Sequence, residues 1–137
     1  EFLREHQDVM VCGSNYDLID CNSHIVGRSN LELDDVDIRR KMYLTNPICH
    51  PTVMFRRSIA LSVGGYSGDK AEDYDLWLRM FVNGKIMHNL LDVLVYYRQH
   101  DNNATKKFAI KHEKWTSDRR NLILNEKNIF HKLYIMP

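Results

Sequence analysis

Two adjacent acids, Glu72 and Asp73, open a run whose apolar residues recur at helical spacing, Ala71-Glu72-Asp73-Tyr74-Asp75-Leu76-Trp77-Leu78-Arg79. On a helix Asp73 shares its face with Leu76, Trp77, Met80 and Phe81. A carboxylate at the head of an apolar stripe needs a polar reason to be there. Two reasons compete. In the first, the acids only start a helix: Asp69 and Glu72 fit a capping box, and Asp75 and Arg79, four apart, pair on the exposed face. In the second, Asp73 faces an adjacent cleft and has a catalytic role; a carboxylate acting as general base supplies about 10²–10⁴ in rate.

The elements that must position these acids are mixed. A short helix over Phe2–His6 leads to an apolar strand over Val9–Gly13 and an alternating stretch over Asn15–Asp20. Asn22-Ser23 signals a turn, with Ile25-Val26 returning as a hairpin strand. Asp34–Leu44 is a helix with an acidic first turn and a basic middle, as the helix dipole favours. Pro47 and Pro51 bracket a constrained loop. Thr52–Phe55 is expected as a short buried strand, and Arg57–Val63 as a helix stopped by Gly64-Gly65. Ile86–His88 and Val93–Tyr97 follow as two strands, the second β-branched and aromatic. From Ala104 to about Phe130 the pattern predicts one long helix, broken near Asn121. In it Phe108, Trp115, Leu122 and Ile129 form a stripe of seven-residue period that must dock on something. The domain itself, a second copy of the chain and a membrane surface all remain open.

Composition excludes some classes. Nineteen basic residues against eighteen acidic leave a net charge of +1, and no basic stripe interleaved with aromatics appears, so nucleic acid is not an expected partner. The clusters Arg39-Arg40-Lys41 and Lys106-Lys107 read as solvated helix faces. No apolar run reaches the roughly 18 residues that span a bilayer. Cys12, Cys21 and Cys49 are odd in number, widely spaced and without a C-x-x-C pair. They are expected as reduced thiols in a cytoplasmic setting.

Four pieces in order carry a family resemblance: His50-Pro51-Thr52-Val53-Met54-Phe55-Arg56-Arg57, Gly64-Gly65-Tyr66, the Glu72–Arg79 run, and Tyr96-Tyr97-Arg98-Gln99-His100. Together they resemble the C-terminal half of a family-2, inverting glycosyltransferase. The resemblance implies an α/β chain that is the C-terminal portion of a type-A glycosyltransferase fold, an incomplete sheet flanked by helices with a long C-terminal helix. It implies two parts, residues 1–103 as the acceptor-side, base-bearing portion and 104–137 as a helical extension. By the same resemblance Asp73 is the base and Glu72 positions it or the acceptor. His50, Gly64, Gly65 and Tyr66 line the sugar or acceptor pocket. Arg98 serves the donor diphosphate, since a guanidinium suits phosphate oxygens. His100 is a metal ligand for Mn²⁺ or Mg²⁺, which neutralises the leaving diphosphate. The glycines of 64 and 65 would also serve simply as a helix stop, and His50 and His100 as loop residues.

Two Asp-x-Asp strings, Asp35-Val36-Asp37 and Asp73-Tyr74-Asp75, imitate the metal-holding pattern of such enzymes. Asp35 follows no apolar strand, and on a helix Asp73 and Asp75 point about 200° apart. Neither is expected to hold the ion. No phosphate-cradling strand–turn unit is present. The resemblance implies a nucleotide-sugar donor and a glycan or lipid-linked acceptor for a longer protein, and the missing unit leads us to expect little transfer by this portion alone. Peripheral membrane contact or a homo-oligomer through the C-terminal helix is the associated expectation. The competing class is a non-catalytic binding module that keeps the fold and works through that helix.

Overall fold

The computed structural model describes residues 1–67, 71–100 and 109–126. Its organising element is β1 (Val9–Ile19), which has partners on both edges. Val11 pairs with both Phe55 and Met87, and Asp17 with both Arg28 and Tyr96. One edge of β1 is therefore taken along its length by β4 (Ile86–Arg98), running parallel. The other edge is shared in succession by β3 (Met54–Phe55) and β2 (Ile25–Arg28), both antiparallel. A parallel pair needs a long crossover. Here it carries α2 (Asp35–Met42), α3 (Arg57–Ser62) and α4 (Glu72–Val82). The short helix α1 (Phe2–Glu5) precedes the sheet and α5 (Ala109–Glu126) follows it. The result is a mixed, partly open α/β sheet flanked by helices.

Several elements differ from the sequence expectation. The two stretches expected within 9–20 are one strand, and so are the two expected within 86–97. The apparent break has a cause: the register shifts on both sides of Asn15, where Ser14 faces Leu90 but Asn15 faces Val93. Leu91 and Asp92 are extra residues on β4, and a bulge changes the phase of alternation without ending the ladder. The Asn15 amide secures the bulge by donating to Leu91 O (3.2 Å). The strand expected over Thr52–Phe55 shrinks to Met54–Phe55, with Met54 exposed, because His50–Thr52 forms a turn of 3₁₀ helix.

The core gathers Val11 and Met87 from the sheet, Ile38 and Met42 from α2, Ile48, and most of α4. In α4 Tyr74 through Leu78, Met80 and Phe81 are all buried, so this helix is enclosed rather than amphipathic. The Tyr74 hydroxyl donates to Met42 O (2.6 Å) and ties α4 to the end of α2. The Asp35–Asp37 cluster is the helix start that was expected: Asp34 caps α2 by accepting from Asp37 N (3.0 Å). One Asp35 oxygen accepts from Met87 N (2.8 Å) and the other pairs with Arg39.

The continuous α5 shows no break at Asn121. Ile123 enters the core at 5% exposure while Leu122, the member of the predicted stripe whose side chain is described, is 48% exposed. Phe108 and Ile129 lie outside the described residues. Arg120 fastens α5 by donating to Leu44 O (3.0 Å). Among the described residues no helix is long and apolar enough to cross a membrane.

Candidate functional site

The site forms where α4 begins, facing the loop of residues 46–52 and the glycine turn after α3. Each part is held by a specific interaction. The loop is fixed to the sheet at two points. Asn89 of β4, fully buried, donates through Nδ2 to Pro47 O (3.0 Å) and to Glu32 O (2.7 Å). Ser14 N donates to Thr52 Oγ1 (3.0 Å), whose hydroxyl in turn donates to Cys49 O (2.8 Å). Asn89 has room because residue 13 is glycine: a Cβ there would stand 2.3 Å from Asn89 Oδ1. The placement of the loop facing α4 thus depends on an absent methyl group in β1.

The glycine turn is held by Arg79. Its guanidinium pairs with Asp75 (Nη2–Oδ2 2.6 Å, Nε–Oδ2 2.9 Å) and donates to Gly65 O (2.6 Å) and to Val63 O. This corrects the expected exposed pair. Asp75 has no exposure and the Arg79 side chain 18%, because the turn folds over this side of α4. Gly64 and Gly65 have φ of 97° and 66°, conformations an L side chain rarely adopts. The glycine turn therefore lets the Val63 and Gly65 carbonyls meet one arginine and leads the chain to Tyr66.

A cap on α4 was expected from Asp69. Asp69 lies outside the described residues, and the N-cap of α4 is Ala71, at φ 54°, with no side-chain cap bond. Glu72 and Asp73 are half-buried in the first turn, where the helix dipole favours negative charge. Asp73 stands at the rim of the apolar stripe rather than inside it, with Leu76 and Trp77 fully buried beneath. Asn46 Nδ2 donates to Asp73 Oδ2 (3.0 Å). Among the described residues Oδ1 accepts no hydrogen bond.

Around this carboxylate stand His50, Tyr66 and Cys49. His50 Nε2 and the Tyr66 hydroxyl are 3.0 Å apart. Their rings pack with Phe55 and Trp77 as an aromatic floor: His50 lies edge-on to Trp77 at 6.2 Å, and Phe55 to Trp77 at 5.6 Å. Burial pushes the Tyr66 phenol up, and the Asp73 and Glu72 carboxylates push it further. Burial and then the Asp73 charge push the Cys49 thiol up to about 11, against an opposing hydrogen bond from the Thr52 main chain. The structure thus brings Asp73, Glu72, His50, Tyr66 and the turn of Gly64-Gly65 together. It adds Asn46, Cys49 and Trp77, which sequence reasoning missed; the Asn-Pro dipeptide at 46–47 was a turn signal that pointed at the first.

Arg98 and His100 lie elsewhere. Asn89, which holds the loop, is nine residues before Arg98 on β4, as much as about 30 Å along an extended strand. Arg98 donates to Asp20 O (2.6 Å), Cys21 O (3.2 Å) and Ser23 Oγ (2.9 Å), at the turn between β1 and β2. His100 is exposed two residues farther on. Among the described residues no three His, Cys, Asp or Glu side chains come together to hold a metal ion.

A half-buried carboxylate over an aromatic floor, with glycine-lined backbone beside it, is suited to hold a hydroxylated ring and accept its proton. No protein-family model matches the chain. Curated relatives do, and they are named glycosyltransferases. A glycosyltransferase of Haemophilus influenzae, described as uncharacterized, is 32% identical over 98 residues, which are 71% of this chain and 36% of the relative. The O-antigen biosynthesis glycosyltransferase WbnJ of Escherichia coli is 34% identical over 95 residues, 67% of this chain and 37% of the relative. A UDP-Gal:alpha-D-GlcNAc-diphosphoundecaprenol beta-1,3-galactosyltransferase of Escherichia coli is 37% identical over 68 residues, 49% and 25% respectively. The chain spans about a third of the length of the first two.

Proposed function

We propose that this chain is the acceptor-side, base-bearing portion of an inverting family-2 glycosyltransferase of type-A fold. In the whole protein it would move a sugar from a nucleotide-sugar donor to an acceptor hydroxyl. The single observation that carries this reading is the Asp73 carboxylate: one oxygen is held by Asn46, the other accepts no hydrogen bond among the described residues, and its charge acts on Tyr66, which meets His50. The open oxygen takes the proton of the acceptor hydroxyl. The acceptor oxygen forms a bond to the anomeric carbon as the bond from that carbon to the diphosphate breaks on the opposite face. The nucleoside diphosphate leaves with the electron pair, and the configuration inverts. Tyr66 stays protonated in the field of the acid pair, so it can donate to a sugar oxygen. The aromatic floor suits the apolar face of a pyranose ring.

Relatives named for O-antigen biosynthesis and for a diphosphoundecaprenol acceptor favour a bacterial surface glycan, built on a lipid-linked acceptor, as the product class. A divalent cation would neutralise the leaving diphosphate when bound. Among the described residues no three His, Cys, Asp or Glu side chains gather; His100 would be one ligand, with the others supplied from elsewhere in the whole protein. The test is release of nucleoside diphosphate by the whole protein from a panel of sugar nucleotides, with and without Mn²⁺, followed by the anomeric configuration of the product. Metal-dependent release with inversion is expected. A product that retains the donor's configuration rules out Asp73 as the base of a single displacement.

A further inference from the structure

We propose that Asn46 is a positioning residue for Asp73, a role that rests on the reading of Asp73 as the base. The orientation of its amide follows from chemistry alone. Asn46 Oδ1 accepts from Ile48 N at 3.1 Å, and a backbone N–H can only donate. Nδ2 must then point the other way, toward Asp73 Oδ2 at 3.0 Å, and an ionised carboxylate can only accept. The side chain cannot flip without losing both bonds.

The amide is also fixed in space. On one side Pro47 is buried and its carbonyl is gripped by Asn89; beyond it Ile48 is buried in the core at 1% exposure. On the other side the end of α2 is tied to α4 through Tyr74 and Met42. Asn46 and Asp73 are thus carried by two elements already bound to each other. Asn46 occupies one carboxylate oxygen and leaves Oδ1 as the proton acceptor, with the plane of the carboxylate set. A reacting group displaced by about 1 Å can lose on the order of 100-fold in rate.

Two variants separate positioning from mere support of the loop. Asn46→Ala removes both bonds. Asn46→Asp keeps an acceptor for Ile48 N but replaces the donor with a second carboxylate facing Asp73. If Asn46 positions Asp73, both variants of the whole protein lose about 10–100-fold in kcat while donor KM stays within about threefold. Asn46→Asp should also melt within a few degrees of the native protein. If Asn46 only supports the loop, Asn46→Asp retains native kcat and the proposal is overturned. A double-mutant cycle completes the test, because adding Asn46→Ala to Asp73→Asn should cost little more than Asp73→Asn alone. A full additional loss in that background overturns the positioning role and leaves Asp73 as the base. Native turnover in Asp73→Asn alone overturns both.

Discussion

Two regions along the β1–β4 pair, one beside the start of α4 and one at the far end of the ladder, present opposite solutions for a charged side chain. At the start of α4, Asp73 is held by one amide, its other oxygen accepts no hydrogen bond among the described residues, and the buried Trp77 lies one helical turn on. At the far end, Arg98 spends its guanidinium on the Asp20–Ser23 turn, through two carbonyls and a hydroxyl. Both residues belong to motifs that carry the family resemblance, yet their surroundings differ. The first keeps an acceptor oxygen that receives no hydrogen bond among the described residues, while the second secures the turn between β1 and β2. A motif residue's chemistry is set by how many of its valences the fold has already used.

That contrast can be broken at several points. The largest effect on stability is expected from Arg79→Met, which removes the partner of a fully buried Asp75 and frees the carbonyls of Val63 and Gly65. Breaking such a pair costs about 3–5 kcal/mol. Denaturant unfolding should show it, together with loss of any ligand contact made by Tyr66. A cost below about 1 kcal/mol would mean that the glycine turn is not held from α4.

Gly13→Ala comes next. The added Cβ meets Asn89 Oδ1, and overpacking of this kind costs about 1–3 kcal/mol. Because Asn89 holds Pro47, the change should also lower transfer by the whole protein, although residue 13 touches no substrate. Unchanged transfer with reduced stability would separate the sheet from the site. Arg98→Ala should cost roughly 1 kcal/mol through the loosened turn. It should reduce transfer less than Asp73→Asn does; an equal loss would erase the contrast and return Arg98 to the donor diphosphate.

The smallest effect is chemical. At pH 8 exposed Cys21 should react readily with a thiol reagent. Burial pushes up the Cys12 thiol, and Cys49 is raised to about 11, so at pH 8 about one Cys49 in a thousand is thiolate. Labelling of Cys49 should therefore be slow. Asp73→Asn removes the second of its causes and should speed that labelling without changing the rate at Cys21. Equal Cys49 rates would place the Asp73 charge farther from the loop than the structure does.

Much of the fold was legible in the sequence because local signals agreed. The acidic start of α2, the glycine stop of α3 and the hairpin at Asn22-Ser23 each appear as their residue types demand. The readings that failed were those that assumed a regular period. Alternation is interrupted by the bulge at Asn15, which no residue type announces. The Asp75–Arg79 pair has the spacing of an exposed ion pair but is buried, because α4 is covered on the side that an amphipathic helix leaves open.

The site shows the same division. The acid pair, His50 and Gly64-Gly65-Tyr66 were recognisable as candidates and the structure brings them together. Asn46 was not, since a lone asparagine before a proline reads as a turn. Its relation to Asp73 is made only by the contact between the loop and α4, 27 residues apart in the chain.

The decisive measurement is turnover and donor binding of the whole protein beside its Asp73→Asn variant, under identical metal and pH. If Asp73 is the base, kcat falls by about 10²–10⁴ while the donor still binds and the fold still melts at its native temperature. Native kcat in the variant would show that another group takes the proton and that Asp73 serves only the start of α4.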